Sequence, residues 1–304
     1  MPELPEVEVT ARHISSALGR VRLIAHYASD KSLRFPLPSQ ALDALMGKEL
    51  RQVFRRAKFV LLEFDAGWLA IHLGVSGSLQ VRAAFTPPSS RASTTASTLA
   101  MPHDHLGLYF ERLTSASVNQ VAAQADRAML IFNDPRRFGS VQWVPRDQIA
   151  DSSQIAGFLS AGAGGLEPFD AKFDGAYLAH AAKGKSTPIK PWLMQGTVVV
   201  GVGNIYACEA LFAAGIHPAR AAGRIAPARM ARLADHIRAI LGAAIEAGGS
   251  TIRDFQGADG QPGRYGQVHR VYGRQGLPCT DCGHLIRRVI QAQRSTFYCH
   301  VCQR

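Results

Sequence analysis

Four of the five cysteines crowd into the last 26 residues of the chain, as Cys279-x2-Cys282, sixteen residues, then Cys299-x2-Cys302. Each Cys-x-x-Cys knuckle presents two thiolates to one tetrahedral ion, and this spacing is that of a four-thiolate zinc site. A redox pair and chance spacing are the competing readings. Metal is favoured because it supplies folding free energy directly to a segment too short to build its own core. Four thiolates leave no open position for water, so the expected zinc, one per chain, is structural. Between the knuckles, residues 285–291 and 295–298 are expected to pair as a hairpin turning near 292–294. Arg287, Arg288 and Arg294 on that hairpin make nucleic acid the natural partner. Cys208 stands apart in an apolar helical stretch and reads as a buried, inert thiol.

The rest of the composition sets broad limits. A chain of 304 residues can bury a large core, and its length favours two domains. Lys and Arg outnumber Asp and Glu by 34 to 23, a formal charge of +11 that suits a polyanionic partner. Charge alone does not separate DNA from RNA, ribosome or an anionic membrane. No stretch approaches the roughly 18 apolar residues of a membrane span. The opening nine residues carry three glutamates and no basic segment, unlike a signal peptide. With no export signal, the default expectation is the cytoplasm.

Periodicity divides the chain in two. Residues 5–18 read as a helix, with Pro5 in its first turn and Val7, Ala11, Ile14 and Leu18 at helical spacing. Strand patterns follow at 21–28, 49–54, 59–64, 68–73 and 78–81, then at 106–113 and 128–132. Asp65-Ala66-Gly67 is a hairpin signal. The Ala-, Ser-, Thr- and Pro-rich stretch 83–101 has little to bury and reads as a mobile surface loop. After the Gly-rich passage 161–165 the pattern becomes helical to about 247, with Leu233, Ile237, Ile240, Leu241 and Ala244 on one face and Gly248-Gly249 as the stop. The expected fold is α+β and multidomain. An antiparallel β-sandwich with flanking helices occupies 1–150, a helical domain 151–271, and a zinc-ribbon hairpin 272–304.

Several short motifs have a plain reading of their own. Met1-Pro2-Glu3-Leu4-Pro5-Glu6 is a helix start with acids near the positive end of the dipole, and Glu3 and Glu6 share one face. Lys58 reads as an exposed strand lysine and Phe138 as a core aromatic. Gly201-Val202-Gly203-Asn204 leads into a helix, and such a turn lets backbone N–H groups meet a phosphate.

Together these motifs say more. The opening, Lys58 in Arg56-Ala57-Lys58-Phe59, His72-Leu73-Gly74 with Ser76-Gly77, Asp134-Pro135-Arg136-Arg137-Phe138-Gly139, Lys190-Pro191-Trp192-Leu193-Met194, the Gly201 turn and the cysteine tail occur in one order. In this the chain resembles the formamidopyrimidine-DNA glycosylases, also called 8-oxoguanine DNA glycosylases, over nearly its whole length. The resemblance implies a helix–two-turn–helix element in the second half. It also implies a bifunctional enzyme, a glycosylase and abasic-site lyase, acting as a monomer on double-stranded DNA that contains an oxidised purine or an abasic site.

By the same likeness, Pro2 is the nucleophile once Met1 is removed. A terminal amine has a reference pKa of about 7.7–8, so a good fraction is neutral near pH 7 and can attack C1′ of the damaged nucleotide. A secondary amine condenses to an iminium with no N–H to lose, an electron sink that drives β- and then δ-elimination. Glu3 would handle protons at the sugar ring oxygen, Glu6 would support the amine, and Lys58 would hold a lesion-flanking phosphate. His72, Lys190, Asn204 and Arg294 would contact DNA. Val75, Arg136 and Phe138 would fill the hole left by the extruded base, Arg136 beside the orphaned cytosine and Phe138 between base steps.

Three departures stand out. Val75 replaces the methionine usual between Gly74 and Ser76, Gln195 replaces a common aspartate, and the connection from Leu113 to Ala128 is long. Which residues of 250–265 read the flipped base does not follow from the sequence. Two alternatives remain at this point: an endonuclease VIII-like glycosylase for oxidised pyrimidines, and a non-catalytic zinc-ribbon DNA-binding protein. Leucine at position 4 and the intact Asp134–Gly139 motif weigh against the first. The presence of Pro2, Glu3, Glu6 and Lys58 weighs against the second.

Overall fold

A computed structural model of the protein describes residues 1–83, 101–113, 127–149, 155, 164–250 and 263–304. The expected loop at 83–101, apart from its ends, lies outside these residues, as do most of the connection from Leu113 to Ala128 and residues 251–262. The chain divides into two compact units.

The first unit comprises Met1–Pro2 and the described residues of Glu6–Ile155. Helix α1 (Leu4–Leu18) runs into it, and Val7, Ala11, Ile14 and Leu18 are buried as the periodicity requires. One antiparallel sheet has five strands: β1 (Val21–Ala28), β2 (Glu49–Leu50), β6 (Ser78–Ala83), β7 (Asp104–Arg112) and β8 (Arg127–Asn133), in the order β2-β1-β7-β8-β6. The second holds β3 (Gln52–Arg56), β4 (Phe59–Phe64), β5 (Gly67–His72) and β9 (Ser140–Pro145), in the order β3-β4-β5-β9. Leu23, Leu108, Phe110, Leu130 and Phe132 of the first sheet share one core with Val60, Leu62, Phe64, Leu69, Ile71 and Val141 of the second. This is the expected sandwich.

Three details differ from the sequence reading. The strand expected at 49–54 is broken at Arg51, because β2 belongs to one sheet and β3 to the other. Arg51 N–H donates to Glu63 O at 2.8 Å as the chain crosses. Strand β9 was not foreseen; it is a short edge strand ending in Pro145, a position where a missing N–H is tolerated. The six-residue helix α2 (Ser39–Ala44) is too short to show a period and was also missed.

The second unit comprises Glu3–Pro5, the described residues of Ala156–Ser250, and Arg264–Arg304. Its helices are α3 (Gly175–Ala182), α4 (Ile189–Met194), α5 (Asn204–Ala213) and α6 (Pro227–Glu246). Helix α6 buries Leu233, Ile237, Leu241 and Ala244 and ends at Gly248-Gly249 in a glycine cap, where Gly249 N–H donates to Ala244 O at 2.7 Å. Ile240, expected on the same face, is half-buried. The cysteine tail folds as β10 (Arg287–Gln291) and β11 (Arg294–Tyr298), joined by Ala292 and Gln293 with φ of 46° and 60°. Positive φ at both central residues marks a type I′ turn, whose twist matches a two-stranded ribbon. Cys208 and Phe212 of α5 share a core with Val271, Cys279, Ile286 and Cys299, so the tail packs as part of this unit. No described helix is long and apolar enough to cross a membrane.

Candidate functional site

The four tail cysteines converge. All their Sγ atoms lie within 4.8 Å of one another, with Cys279 and Cys302 3.9 Å apart and Cys282 and Cys299 3.4 Å apart. A tetrahedral zinc with Zn–S bonds of about 2.3 Å places its sulfurs about 3.8 Å apart, so the four fit one ion. A zinc ion bound here would offset half of the charge of the four thiolates and tie the two knuckles that flank β10 and β11 to each other. Cys208 is separate and 1% exposed; burial pushes its thiol up to about 11, which makes it unreactive at neutral pH.

Glu3 is held by the start of α5. Its carboxylate accepts hydrogen bonds from Ile205 N–H at 3.0 Å and Tyr206 N–H at 3.4 Å, and Leu4 N–H donates to Gly201 O at 3.1 Å. Two of the helix's four unsatisfied N–H groups are thus capped by an acidic side chain from the opposite end of the sequence. The glycines of the Gly201 turn permit this approach. A Cβ on Gly203 would lie 2.3 Å from Glu3 Cδ, and one on Gly201, whose φ is +82°, would lie 2.5 Å from Leu4 Cδ1. Of the N–H groups at this helix start, those of Ile205 and Tyr206 are thus taken by Glu3.

Lys190 lies inside the second unit. It is 1% exposed, and its ammonium donates to Asn204 Oδ1 at 2.6 Å, Thr296 Oγ1 at 2.7 Å and Ser295 O at 3.2 Å. An ammonium has three N–H donors, and each has an acceptor inside the unit. Burial lowers its pKa, opposed by Cys208 and Glu3 and aided by Arg294. Lys190 joins α4, the N-terminus of α5 and β11. By occupying Oδ1 it turns the Asn204 amide group, whose Nδ2 points to Tyr272 Oη at 3.4 Å. Arg294, at the tip of the hairpin, is exposed.

In the first unit, Pro2 is buried just before α1, and Glu6 is 2% exposed in that helix's first turn. Glu8, two residues further on, receives Arg55 of β3 at 2.8 Å and Arg12 at 2.8 Å. Burial opposes ionisation of Glu8, but the two guanidinium groups together hold its carboxyl below the usual range. This ties α1 to the strand that leads to Lys58. Lys58 follows Ala57, whose φ of 50° turns the chain from β3 into β4.

His72 ends β5 with its ring edge-on to Phe59 at 5.1 Å. Gly74 N–H donates to His72 Nδ1 at 3.0 Å, so the neutral ring carries its proton on Nε2. Burial, then Lys58 and Arg34, depress its pKa to about 4. Val75 is half-buried, Arg136 is exposed, and Phe138 is 55% exposed. The plain reading of Phe138 as a core aromatic is thus wrong, and a large apolar ring stands in solvent.

Two features escaped the sequence reading. Asp134 belongs to a quoted motif, yet nothing in its type signalled complete burial. In the second unit, Tyr206 Oη meets Ser250 Oγ at 3.1 Å, which meets His269 Nε2 at 3.1 Å, a buried polar chain joining α5 to the residue where the described part of 250–265 begins. Its members lie 44 and 19 residues apart, so no local pattern reveals it.

Three family models match in sequence order: the formamidopyrimidine-DNA glycosylase N-terminal domain over residues 1–141, its H2TH domain over 165–256, and a zinc finger found in FPG and IleRS over 276–304. Formamidopyrimidine-DNA glycosylases of Burkholderia thailandensis and Methylococcus capsulatus are each 43% identical, with all of both chains covered. Among solved structures, Lactococcus lactis Fpg bound to DNA containing Fapy-dG is similar with a TM-score of 0.79 at 29% identity, covering 99% of each chain. The same protein bound to abasic-site DNA gives 0.79 at 30%, again with 99% of each chain covered. With full-length relatives at this identity, the chain belongs to the formamidopyrimidine-DNA glycosylase family.

Proposed function

We propose that this protein excises oxidised purines, 8-oxoguanine and formamidopyrimidines, from duplex DNA and then cleaves the strand at the abasic site. The observation that carries this reading is the pinning of Glu3, next in sequence to Pro2, by the first turn of α5. A carboxylate fixed by backbone donors is pre-positioned for proton transfer, and such assistance is typically worth about 10²–10⁴ in rate.

Once Met1 is removed, the Pro2 nitrogen attacks C1′ and the bond from C1′ to the base breaks, the base leaving with a proton. Glu3 serves the ring oxygen, which takes a proton as the sugar opens to the iminium. Loss of a proton from C2′ then expels the 3′ phosphate, and a second elimination expels the 5′ phosphate. Glu6 supports the amine, and Lys58 holds a flanking phosphate. Val75, Arg136 and Phe138 occupy the hole in the duplex, and His72, Asn204 and Arg294 take the backbone. Residues 1–150 serve as the catalytic domain, 151–271 as the DNA-binding helices and 272–304 as the zinc ribbon.

Borohydride trapping tests the reading. Protein lacking Met1 should form a covalent adduct with an 8-oxoguanine duplex, and a Pro2→Ala variant should not trap through a secondary amine. Absence of any adduct from the processed protein would leave only a DNA-binding role. Faster excision of thymine glycol than of 8-oxoguanine would move the substrate to oxidised pyrimidines.

A further inference from the structure

Two connections cross between the sheets side by side. Residues 73–77 lead from β5 to β6, and residues 134–139 lead from β8 to β9. Strand pairing sets them against each other, since His72 is opposite Ser140 at one end and Ser78 is opposite Asn133 at the other. Val75 sits on the first connection, and Arg136 and Phe138 on the second.

One carboxylate joins them. Asp134 is fully buried, at 0% exposure. Its Oδ1 accepts from Ser76 Oγ at 2.7 Å, across the gap, and from Arg136 N–H at 3.3 Å. Its Oδ2 accepts from Gly139 N–H at 2.8 Å. The backbone of Asp134 is anchored as well, its N–H to His103 O at 3.0 Å and its carbonyl near His105 Nε2 at 3.1 Å. The two connections touch so closely that a Cβ on Gly74 would lie 2.5 Å from Gly139 N and from the Phe138 carbonyl carbon. Arg137 takes a φ of +56°, which turns the segment back on itself beside Arg136 and the exposed Phe138.

We infer that Asp134 is a positioning residue that locks the two hole-filling connections into one rigid wedge, with Ser76 as the link between them. The inference rests on the function proposed above. A buried carboxylate with three donors has no slack, because removing any partner leaves an unmatched charge or lone pair. Val75, Arg136 and Phe138 then enter a duplex at a fixed mutual spacing instead of as independent side chains. This matters most here because Val75 is short and stiff and gains little reach from its own flexibility.

A single-stranded abasic oligonucleotide leaves no hole to fill, so the wedge should matter for duplex excision and not for strand cleavage of that substrate. The measurement is the ratio of kcat/KM for 8-oxoguanine excision from a duplex to kcat/KM for cleavage of a single-stranded abasic oligonucleotide. Asp134→Asn and Ser76→Ala should each lower this ratio about tenfold, the size expected when one buried hydrogen bond to a charged group is lost. Ser76→Thr, which keeps the hydroxyl, should restore most of it. Ser76→Ala guards against misfolding of the aspartate variant, since it leaves the Asp134 carboxylate and its two backbone donors in place. A ratio that stays constant in the two variants, whether both rates fall together or neither does, overturns the inference. Failure of the unaltered protein to cleave the abasic strand would instead overturn the proposed function.

Discussion

The Glu3 carboxylate accepts the backbone N–H of Ile205 at 3.0 Å, although the two residues are 202 positions apart in the chain. A proposed catalytic group near the start of the sequence is thus placed by a turn in its second half. Loss of that turn should damage chemistry without touching an acidic residue.

Gly203→Ala is the direct test. Its Cβ would lie 2.3 Å from Glu3 Cδ and 2.5 Å from Oε1, so the side chain must leave its two donors. Base excision should fall by about 10², the lower end of what a positioned acid or base contributes, and Glu3→Gln should lose at least as much. Single-turnover excision on an 8-oxoguanine duplex measures both. A Gly203→Ala protein with full activity would mean that the capping position is not the working position of Glu3.

Lys190 and Arg294 should separate cleanly in salt dependence. Arg294→Ala removes an exposed cation, so the slope of log K against log salt for DNA binding should fall by about 0.9, the value for one phosphate contact. Lys190→Met removes a buried cation whose three donors end on Asn204, Thr296 and Ser295. Its slope should not change, while stability falls by about 1–3 kcal/mol from the unmatched acceptors left behind. Fluorescence anisotropy over a salt series, with thermal melts of each variant, supplies both numbers. A unit fall in slope for Lys190→Met would restore it to the DNA contacts.

Zinc removal should propagate along the same route. The four sulfurs fit one ion, and Thr296, a partner of Lys190, lies three residues before Cys299 in β11. Chelation, or Cys282→Ser, should melt the hairpin and take two of the three Lys190 partners with it, freeing the Asn204 amide. Metal analysis should give one zinc per chain. Its loss should abolish specific DNA binding while the sandwich of the first unit keeps its circular dichroism signal.

How much of this was readable beforehand depended on whether the cause was local. Helix α1 was visible because Val7, Ala11, Ile14 and Leu18 face a core at helical spacing, and the zinc site because its ligands come in two adjacent pairs. The hairpin turn at Ala292-Gln293 was located by the strands around it, although neither residue is a usual left-handed one. The crossing at Arg51 was hidden, since a strand that changes sheets keeps its alternation on both sides of the break. Lys190 was singled out by the resemblance alone, and nothing near it in sequence announces Thr296, 106 residues on, as its partner. The motif containing Asp134 was recognised, but its role depends on Ser76, 58 residues earlier, and only the paired registers of β5 with β9 and β6 with β8 bring them together.

His72 carries the pH prediction. Burial and the nearby Lys58 and Arg34 lower its pKa to about 4. The unfolded chain takes up a proton near the reference value of about 6.5, while the folded ring refuses it until about 4. His72 therefore contributes stability in full above about 6.5, and this contribution is lost as pH falls from there toward 4. A His72→Gln variant should show a shallower fall in melting temperature over that window. The neutral ring accepts Gly74 N–H on Nδ1 and keeps its proton on Nε2, so it can donate one neutral hydrogen bond to a phosphate oxygen. In the free protein the ring therefore stays neutral between about 5.5 and 8. The ring resonances of His72 in the free protein should stay flat across that range and move only near 4. A midpoint near 6.5 would show that the ring is solvated and that its bond to Gly74 is not maintained in solution.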